Sequence, residues 1–220
     1  MSDDTKRQLY KHGLISIIRG RFSLEDVTRL AAALSEGGVK VVEVTLNTTH
    51  ALEAISSLQK TFGTELQVGA GTVRTAADVD KAVAAGASFL IAPCLDLPSV
   101  ERAQKHGVLL LPGVFTATEA QTAYAAGCTT VKLFPADALG PAYLKALRAP
   151  LDHIDFIPTG GVSAATVADF HAAGAVAFGV GSALVKNMPV DDRELSALTE
   201  RARMLTAALT SSRGRTRAEV

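Results

Sequence analysis

The chain has no tryptophan, aromatic residues make up only 5% of it, and it has two cysteines. So few aromatics argue against a surface built for stacking on bases or anchoring partner proteins, and suit tight packing of helices on a sheet. The cysteines, Cys94 and Cys128, stand far apart with no CxxC or Cys/His spacing, which excludes a zinc knuckle or a disulfide framework and predicts two free thiols in a reducing cytoplasm. Charge of one sign is missing as well: 22 Lys+Arg balance 22 Asp+Glu. Nucleic-acid and anionic-membrane binding need a basic excess, so neither partner is expected. No apolar run approaches the ~18 residues of a membrane span. The N-terminus, MSDDTKRQLYKHG, has no apolar signal core, so a soluble cytoplasmic protein is predicted.

Short apolar runs alternate with helical patterns from end to end. A polar helix over 3–12 leads into a first strand at 14–18. Further strands are predicted at 39–44, 66–72, 88–92, 108–111, 129–133, 154–157 and 176–180. Helices fill the gaps, one of them over 164–172, with Ser23 and Thr75 as N-caps and Pro141 in a first turn, and a last amphipathic helix covers 190–209. A glycine that ends a helix and precedes a strand recurs at 37, 86, 107, 127 and 174, at intervals of about 20 residues or twice that. Eight such units predict an all-parallel sheet closed into a TIM (β/α)8 barrel, with a short helix before the first strand. One domain over 1–210 and a basic, disordered tail over 211–220 complete the expectation. An open doubly wound sheet is the alternative, but Gly20 follows the first strand without GxGxxG company.

A barrel carries its active site at the C-terminal ends of its strands. The polar residues predicted there are Arg19, Glu43, Thr72, Lys132, Thr159 and Ser182; Pro93 and Pro112 end strands four and five. Lys132, in Val131-Lys132-Leu133-Phe134-Pro135, stands inside a strand. A desolvated lysine can attack a carbonyl as a neutral amine; it can equally reach solvent or pair with a carboxylate. Glu43 suits general acid/base work or a counter-ion, while Arg19 could cap a structural carboxylate and Thr72 and Thr159 could be ordinary turn residues; it is their convergence on one mouth that marks a site. The five histidines, at 12, 50, 106, 153 and 171, fall away from the strand ends, so no metal is expected. The glycine turns Thr159-Gly160-Gly161 and Gly179-Val180-Gly181-Ser182 follow strands seven and eight. There, backbone N–H groups with helix N-termini behind them suit a phosphate.

These segments resemble the 2-keto-3-deoxy-6-phosphogluconate (KDPG) and 4-hydroxy-2-oxoglutarate (KHG) aldolases. The resemblance is carried by IIRG (17–20), GGVKVVEVTLNT (37–48), VGAGTV (68–73), PGVFTATE (112–119), VKLFPA (131–136), PTGGV (158–162) and GVGSALV (179–185), over about residues 13–186. It implies a class I, Schiff-base pyruvate aldolase on a TIM barrel, needing no cofactor and forming a homotrimer. Its substrates would be a phosphorylated 2-keto-3-deoxy sugar acid and pyruvate. By the same resemblance Lys132 is the imine lysine and Glu43 the acid/base, Thr72, Pro93 and Thr159 line the substrate, and Phe134 packs beside the imine. Gly160, Gly161, Gly181 and Ser182 take the phosphate. One position departs: some gluconate-type members carry arginine where Asn47 stands, which passes the pyruvate carboxylate to Arg19. Asparagine there also occurs in the related phosphogalactonate aldolases, whereas Thr159 matches the gluconate type. A phosphosugar isomerase, epimerase or synthase barrel without imine chemistry, and a non-catalytic sugar-phosphate binder, are the rival readings.

Overall fold

The computed structural model describes residues 2–187 and 189–218. Helix α1 (Ser2–His12) leads into nine parallel strand segments: β1 (Leu14–Ile18), β2 (Val41–Thr45), β3 (Gln67–Gly71), β4 (Phe89–Ile91), β5 (Leu109–Leu111), β6 (Gly113–Val114), β7 (Thr130–Leu133), β8 (Asp155–Pro158) and β9 (Phe178–Val180). Between them lie α2 (Leu24–Glu36), α3 (Ala51–Phe62), α4 (Ala76–Ala84), α5 (Leu97–Lys105), α6 (Ala117–Ala125), α7 (Gly140–Arg148) and α8 (Val167–Ala172), and α9 (Asp192–Ala218) follows β9. Every predicted strand is present, its ends shifted by at most two residues, as is usual for assigned ends.

Six strands form one sheet in the order β5-β4-β3-β2-β1-β9, and three form another, β6-β7-β8. The predicted fifth strand ends at Leu111 as expected, and beyond Pro112, which lacks an N–H for the ladder, the chain continues as the unpredicted segment β6. The Pro112 carbonyl still accepts from Lys132 N at 2.9 Å. At the other seam Val176 N donates to Phe156 O at 3.2 Å and Thr159 bridges Gly179.

The strands read as unbroken apolar runs because both faces are buried. In β1, Leu14 and Ile18 join the large core under the helices, while Ile15 joins a smaller inner cluster with Val41, Phe89, Ile91, Leu111 and Ile157. Helix α1 contributes Leu9, wholly buried, to that inner cluster. Beside it Tyr10 donates to Asp155 Oδ2 at 2.7 Å and shares a 2.5 Å hydrogen bond with Thr130 Oγ1. The inner face is therefore closed by α1 at its N-terminal end. Two positions along β2 from Val41, the same face presents Glu43.

Ser23 and Thr116 start α2 and α6 with complete capping boxes, and Thr75 and Asp96 cap α4 and α5. Two expectations fail. Helix α8 starts at Val167 rather than 164, because Thr166 Oγ1 accepts from Ser163 N (3.0 Å) and donates to Gly161 O (2.8 Å), a local turn that competes with the helix. The tail from 211 was expected to be disordered, yet α9 runs on to Ala218. Leu198, Ala202, Leu205 and Leu209 form its buried stripe, and Arg213 then donates to the carbonyls of Tyr10 (2.7 Å), Lys11 (2.9 Å) and Val176 (3.4 Å). A basic residue thus caps the end of α1 rather than facing water. Residues 219 and 220 lie outside the described ones.

Candidate active site

One cavity of about 760 Å³ opens at the C-terminal ends of the strands and gathers all twelve residues singled out from the sequence. Arg19 follows β1, Glu43 lies on β2, Asn47 and Thr72 follow β2 and β3, and Pro93 follows β4. Lys132 is on β7 with Phe134 after it; Thr159, Gly160 and Gly161 follow β8; Gly181 and Ser182 follow β9.

Lys132 and Glu43 are the two buried charges, 7% and 1% exposed. No ion pair or hydrogen bond joins them, and Glu43 Oε2 is buried without a partner. Such a group costs stability and is retained where its chemistry is used. Burial pushes the Glu43 carboxyl above the usual carboxylate range, and the positive charges of Lys132 and Arg19 pull it partly back. A carboxyl held in this way keeps its proton to higher pH than a free one, as an acid/base group requires. Lys132 Nζ stands 4.9 Å from the centre of the Phe134 ring, which gives the cation a π-face instead of an anion. The carboxylate occupies the space over Gly71, where any Cβ would overlap it.

Thr72 takes φ +57°, a left-handed conformation that a β-branched residue adopts at a cost of about 1–3 kcal/mol. The strain is held next to the Glu43 carboxylate, at the end of the strand that β2 pairs with.

The two glycine turns prove different. Gly160 and Gly161 have φ of 104° and 69°, and a Cβ on Gly161 would stand 2.6 Å from Asp137 Cβ, so both are glycine for the sake of the backbone. At Gly181 a Cβ would meet nothing nearer than Ile17 Cβ at 4.0 Å, so the fold itself has room for one. Among the described residues the backbone N–H groups of Gly161, Ser182 and Ala183 meet no acceptor, whereas that of Gly160 lies in the bridge between Thr159 and Gly179. The helix N-termini expected behind these turns are not there. Helix α8 begins six residues beyond Gly161, and after Ser182 the chain makes a single turn, with Leu184 N and Val185 N both on Gly181 O. An anion here would meet turn amides rather than a helix end.

The cavity also includes residues not picked out beforehand. Thr45, two positions past Glu43, is buried with Oγ1 3.0 Å from Thr48 Oγ1, and period-two alternation points to it. Arg21, Ser163 and Asn187 come from loops, where no periodicity marks them. None of the five histidines lines the cavity. Among the described residues no group of three or more His, Cys, Asp or Glu side chains is placed to hold a metal ion, and no helix is long and apolar enough to cross a membrane. Both thiols are free, Cys94 exposed and Cys128 buried.

A family model described as KDPG and KHG aldolase matches residues 6–200. A protein of Rhizobium meliloti named probable 2-dehydro-3-deoxy-6-phosphogalactonate aldolase is 37% identical over 79% of this chain and 82% of its own. The 2-dehydro-3-deoxy-phosphogluconate aldolase of Treponema pallidum is 36% identical over 80% of this chain and 84% of its own. Among solved structures, the KDPG aldolase of Legionella pneumophila, with pyruvate captured as a covalent carbinolamine, superposes with a TM-score of 0.81 at 32% identity, covering 90% of this chain and 96% of that one.

Proposed function

The chain belongs to the KDPG and KHG aldolase family, and from that premise we propose that it is a class I pyruvate aldolase cleaving 2-keto-3-deoxy-6-phosphogluconate to pyruvate and glyceraldehyde 3-phosphate. 4-Hydroxy-2-oxoglutarate, cleaved to pyruvate and glyoxylate, is the second substrate. The observation that carries the proposal is the pair of buried charges, Lys132 and Glu43, which share one cavity without an ion pair. A structural lysine so placed would be expected to hold its carboxylate.

The steps follow from the groups present. The neutral amine of Lys132 attacks the C2 carbonyl, and the carbinolamine loses water to give an iminium. Glu43, through a water, takes the C4 hydroxyl proton as the C3–C4 bond breaks and its electron pair flows to the iminium nitrogen. The aldehyde leaves, C3 of the enamine is reprotonated, and hydrolysis releases pyruvate. Arg19, whose charge reaches Glu43, holds the pyruvate carboxylate in this scheme, with Asn47 beside it. Thr72, Pro93 and Thr159 position the substrate, and Gly160, Gly161, Gly181 and Ser182 receive its phosphate. The carbinolamine in the Legionella relative supports the first step.

We read the two sheets as one closed (β/α)8 barrel, supported by the hydrogen bonds at both seams, from Lys132 N to Pro112 O and from Val176 N to Phe156 O. A homotrimer in the cytoplasm completes the reading, motivated by the family and by exposed Leu97, Leu139 and Met204; sedimentation analysis of the mass checks the trimer. Comparing kcat/KM on the gluconate and galactonate epimers checks the sugar, and a preference for galactonate would reassign it.

The direct test is borohydride reduction in the presence of pyruvate followed by mass spectrometry. One reduced pyruvyl group is expected at Lys132, and Lys132→Ala should neither trap pyruvate nor turn over. Trapping at another lysine, or at none, would sink the proposal.

A further inference from the structure

The scheme above uses Arg19 and leaves Arg21 without a task, although both line the cavity. Both are exposed, and neither guanidinium has a hydrogen bond or ion pair among the described residues. Elsewhere in the chain Arg29, Arg102, Arg201 and Arg203 each meet a carboxylate. The charged side chains of the cavity lining are Arg19, Arg21, Lys132 and Glu43, so Glu43 is the one anion available, and it lies buried.

The two arginines differ in their action on the buried carboxyl. Arg19 acts on Glu43, while Arg21 does not figure among the charges that reach that carboxylate. Arg21 is held between two fixed neighbours. Gly20 lies against the segment after β9, where a Cβ would stand 2.7 Å from Asn187 Oδ1, and Phe22 is buried in the core under the helices. That segment begins with the Gly181–Ala183 turn, whose N–H groups at Ser182 and Ala183 are unpartnered. An anion at this turn has free amides on one side and a free guanidinium rooted alongside.

We infer that Arg21 is a specificity residue that binds the terminal phosphomonoester of the substrate together with the Ser182 and Ala183 amides, and so favours phosphorylated over unphosphorylated 4-hydroxy-2-oxo acids. A guanidinium gives a phosphate charge-assisted, bidentate hydrogen bonds that lysine cannot reproduce. The identity of the substrate rests on the aldolase reading; the existence of the anion site does not.

Glycerol 3-phosphate, a phosphomonoester with no reactive carbonyl, probes the site by calorimetry on wild type, Arg21→Ala and Arg21→Lys. Arg21→Ala should weaken binding about tenfold or more and flatten its dependence on salt, with Arg21→Lys recovering part of the loss. In turnover, the ratio of kcat/KM on the phosphorylated substrate to that on 4-hydroxy-2-oxoglutarate should fall by a similar factor. If wild type does not bind glycerol 3-phosphate, or a folded Arg21→Ala binds it as wild type does, the inference is wrong. If wild type fails to trap pyruvate with borohydride, the aldolase reading falls while the calorimetry still decides Arg21.

Discussion

Replacing Glu43 by glutamine should make the protein more stable and nearly inactive at once. Glu43 is 1% exposed, and Oε2 has no hydrogen-bond partner. Taking an ionised carboxylate out of water costs several kcal/mol even after relaxation, whereas an amide without partners costs roughly 1–3 kcal/mol. The attraction of Lys132 and Arg19 returns part of the carboxylate's penalty. The net expectation for Glu43→Gln at neutral pH is a gain of about 1–3 kcal/mol. At about 2–4 °C per kcal/mol for a chain of this size, that is a rise in Tm of about 2–12 °C. The amide cannot take the C4 hydroxyl proton, so kcat should fall by about 10² or more. A carboxyl whose pKa is raised by folding stabilises the native state while protonated, and that contribution is lost as pH rises through its folded-state value. The variant's advantage should therefore be absent in acid, open as pH rises above the usual carboxylate range, and level off once Glu43 has ionised in the folded protein. Thermal melts across pH, paired with steady-state kinetics, test both halves. A variant that melts below wild type at neutral pH would show that the carboxylate has a native partner, and a kcat within a few-fold of wild type would remove Glu43 from the proton path.

Gly71→Ala should lower kcat by about tenfold or more while KM moves less, because the new methyl overlaps the Glu43 carboxylate and displaces it; unchanged kinetics would mean that its position does not matter. Arg213→Ala should reduce stability by about 1 kcal/mol, read as a lower Tm, and leave pyruvate trapping at Lys132 intact, since its hydrogen bonds to Tyr10 and Lys11 hold the far end of the molecule. The phosphate turn is best probed at Gly181. Gly181→Ala should keep Tm and lower kcat/KM on the phosphorylated substrate most, whereas Gly161→Ala should lower Tm, because φ +69° and Asp137 already exclude a side chain there. Equal losses on phosphorylated and unphosphorylated substrates for Gly181→Ala would move the phosphate elsewhere.

The strands and the strand-end residues were legible because their signals are local. A run such as Leu14–Ile18, apolar at every position, means a strand buried on both faces, and one polar residue inside such a run, Lys132 or Glu43, is conspicuous. What could not be read depends on contacts distant in sequence. Arg213 looks like part of a polar tail until α1 brings two carbonyls to it across some 200 residues. Arg21 belongs to no periodic element, and its place at the cavity follows from how the loop after β1 meets the segment after β9. The start of α8 was misread for a nearer reason: Ser163 and Thr166 form a turn of their own, in a stretch whose alanines favour helix.

Several departures from stable folding meet at the cavity. Glu43 is buried without a partner, Thr72 holds a left-handed φ that its β-branched side chain disfavours, and Arg19 and Arg21 stand unpaired. All four line the same cavity. At the opposite end several polar groups are satisfied: Tyr10 is hydrogen-bonded to Thr130 and Asp155, Lys6 reaches Thr129 and Asp155, and Arg213 meets backbone carbonyls, although Gln67 Oε1 at the start of β3 is buried without a partner. Each unsatisfied group costs free energy in the empty protein, and a bound substrate with a carbonyl, a carboxylate and a phosphate would supply the missing partners. Substrate binding should therefore raise Tm well beyond what its contact area alone would give, and more for a phosphorylated ligand than for pyruvate.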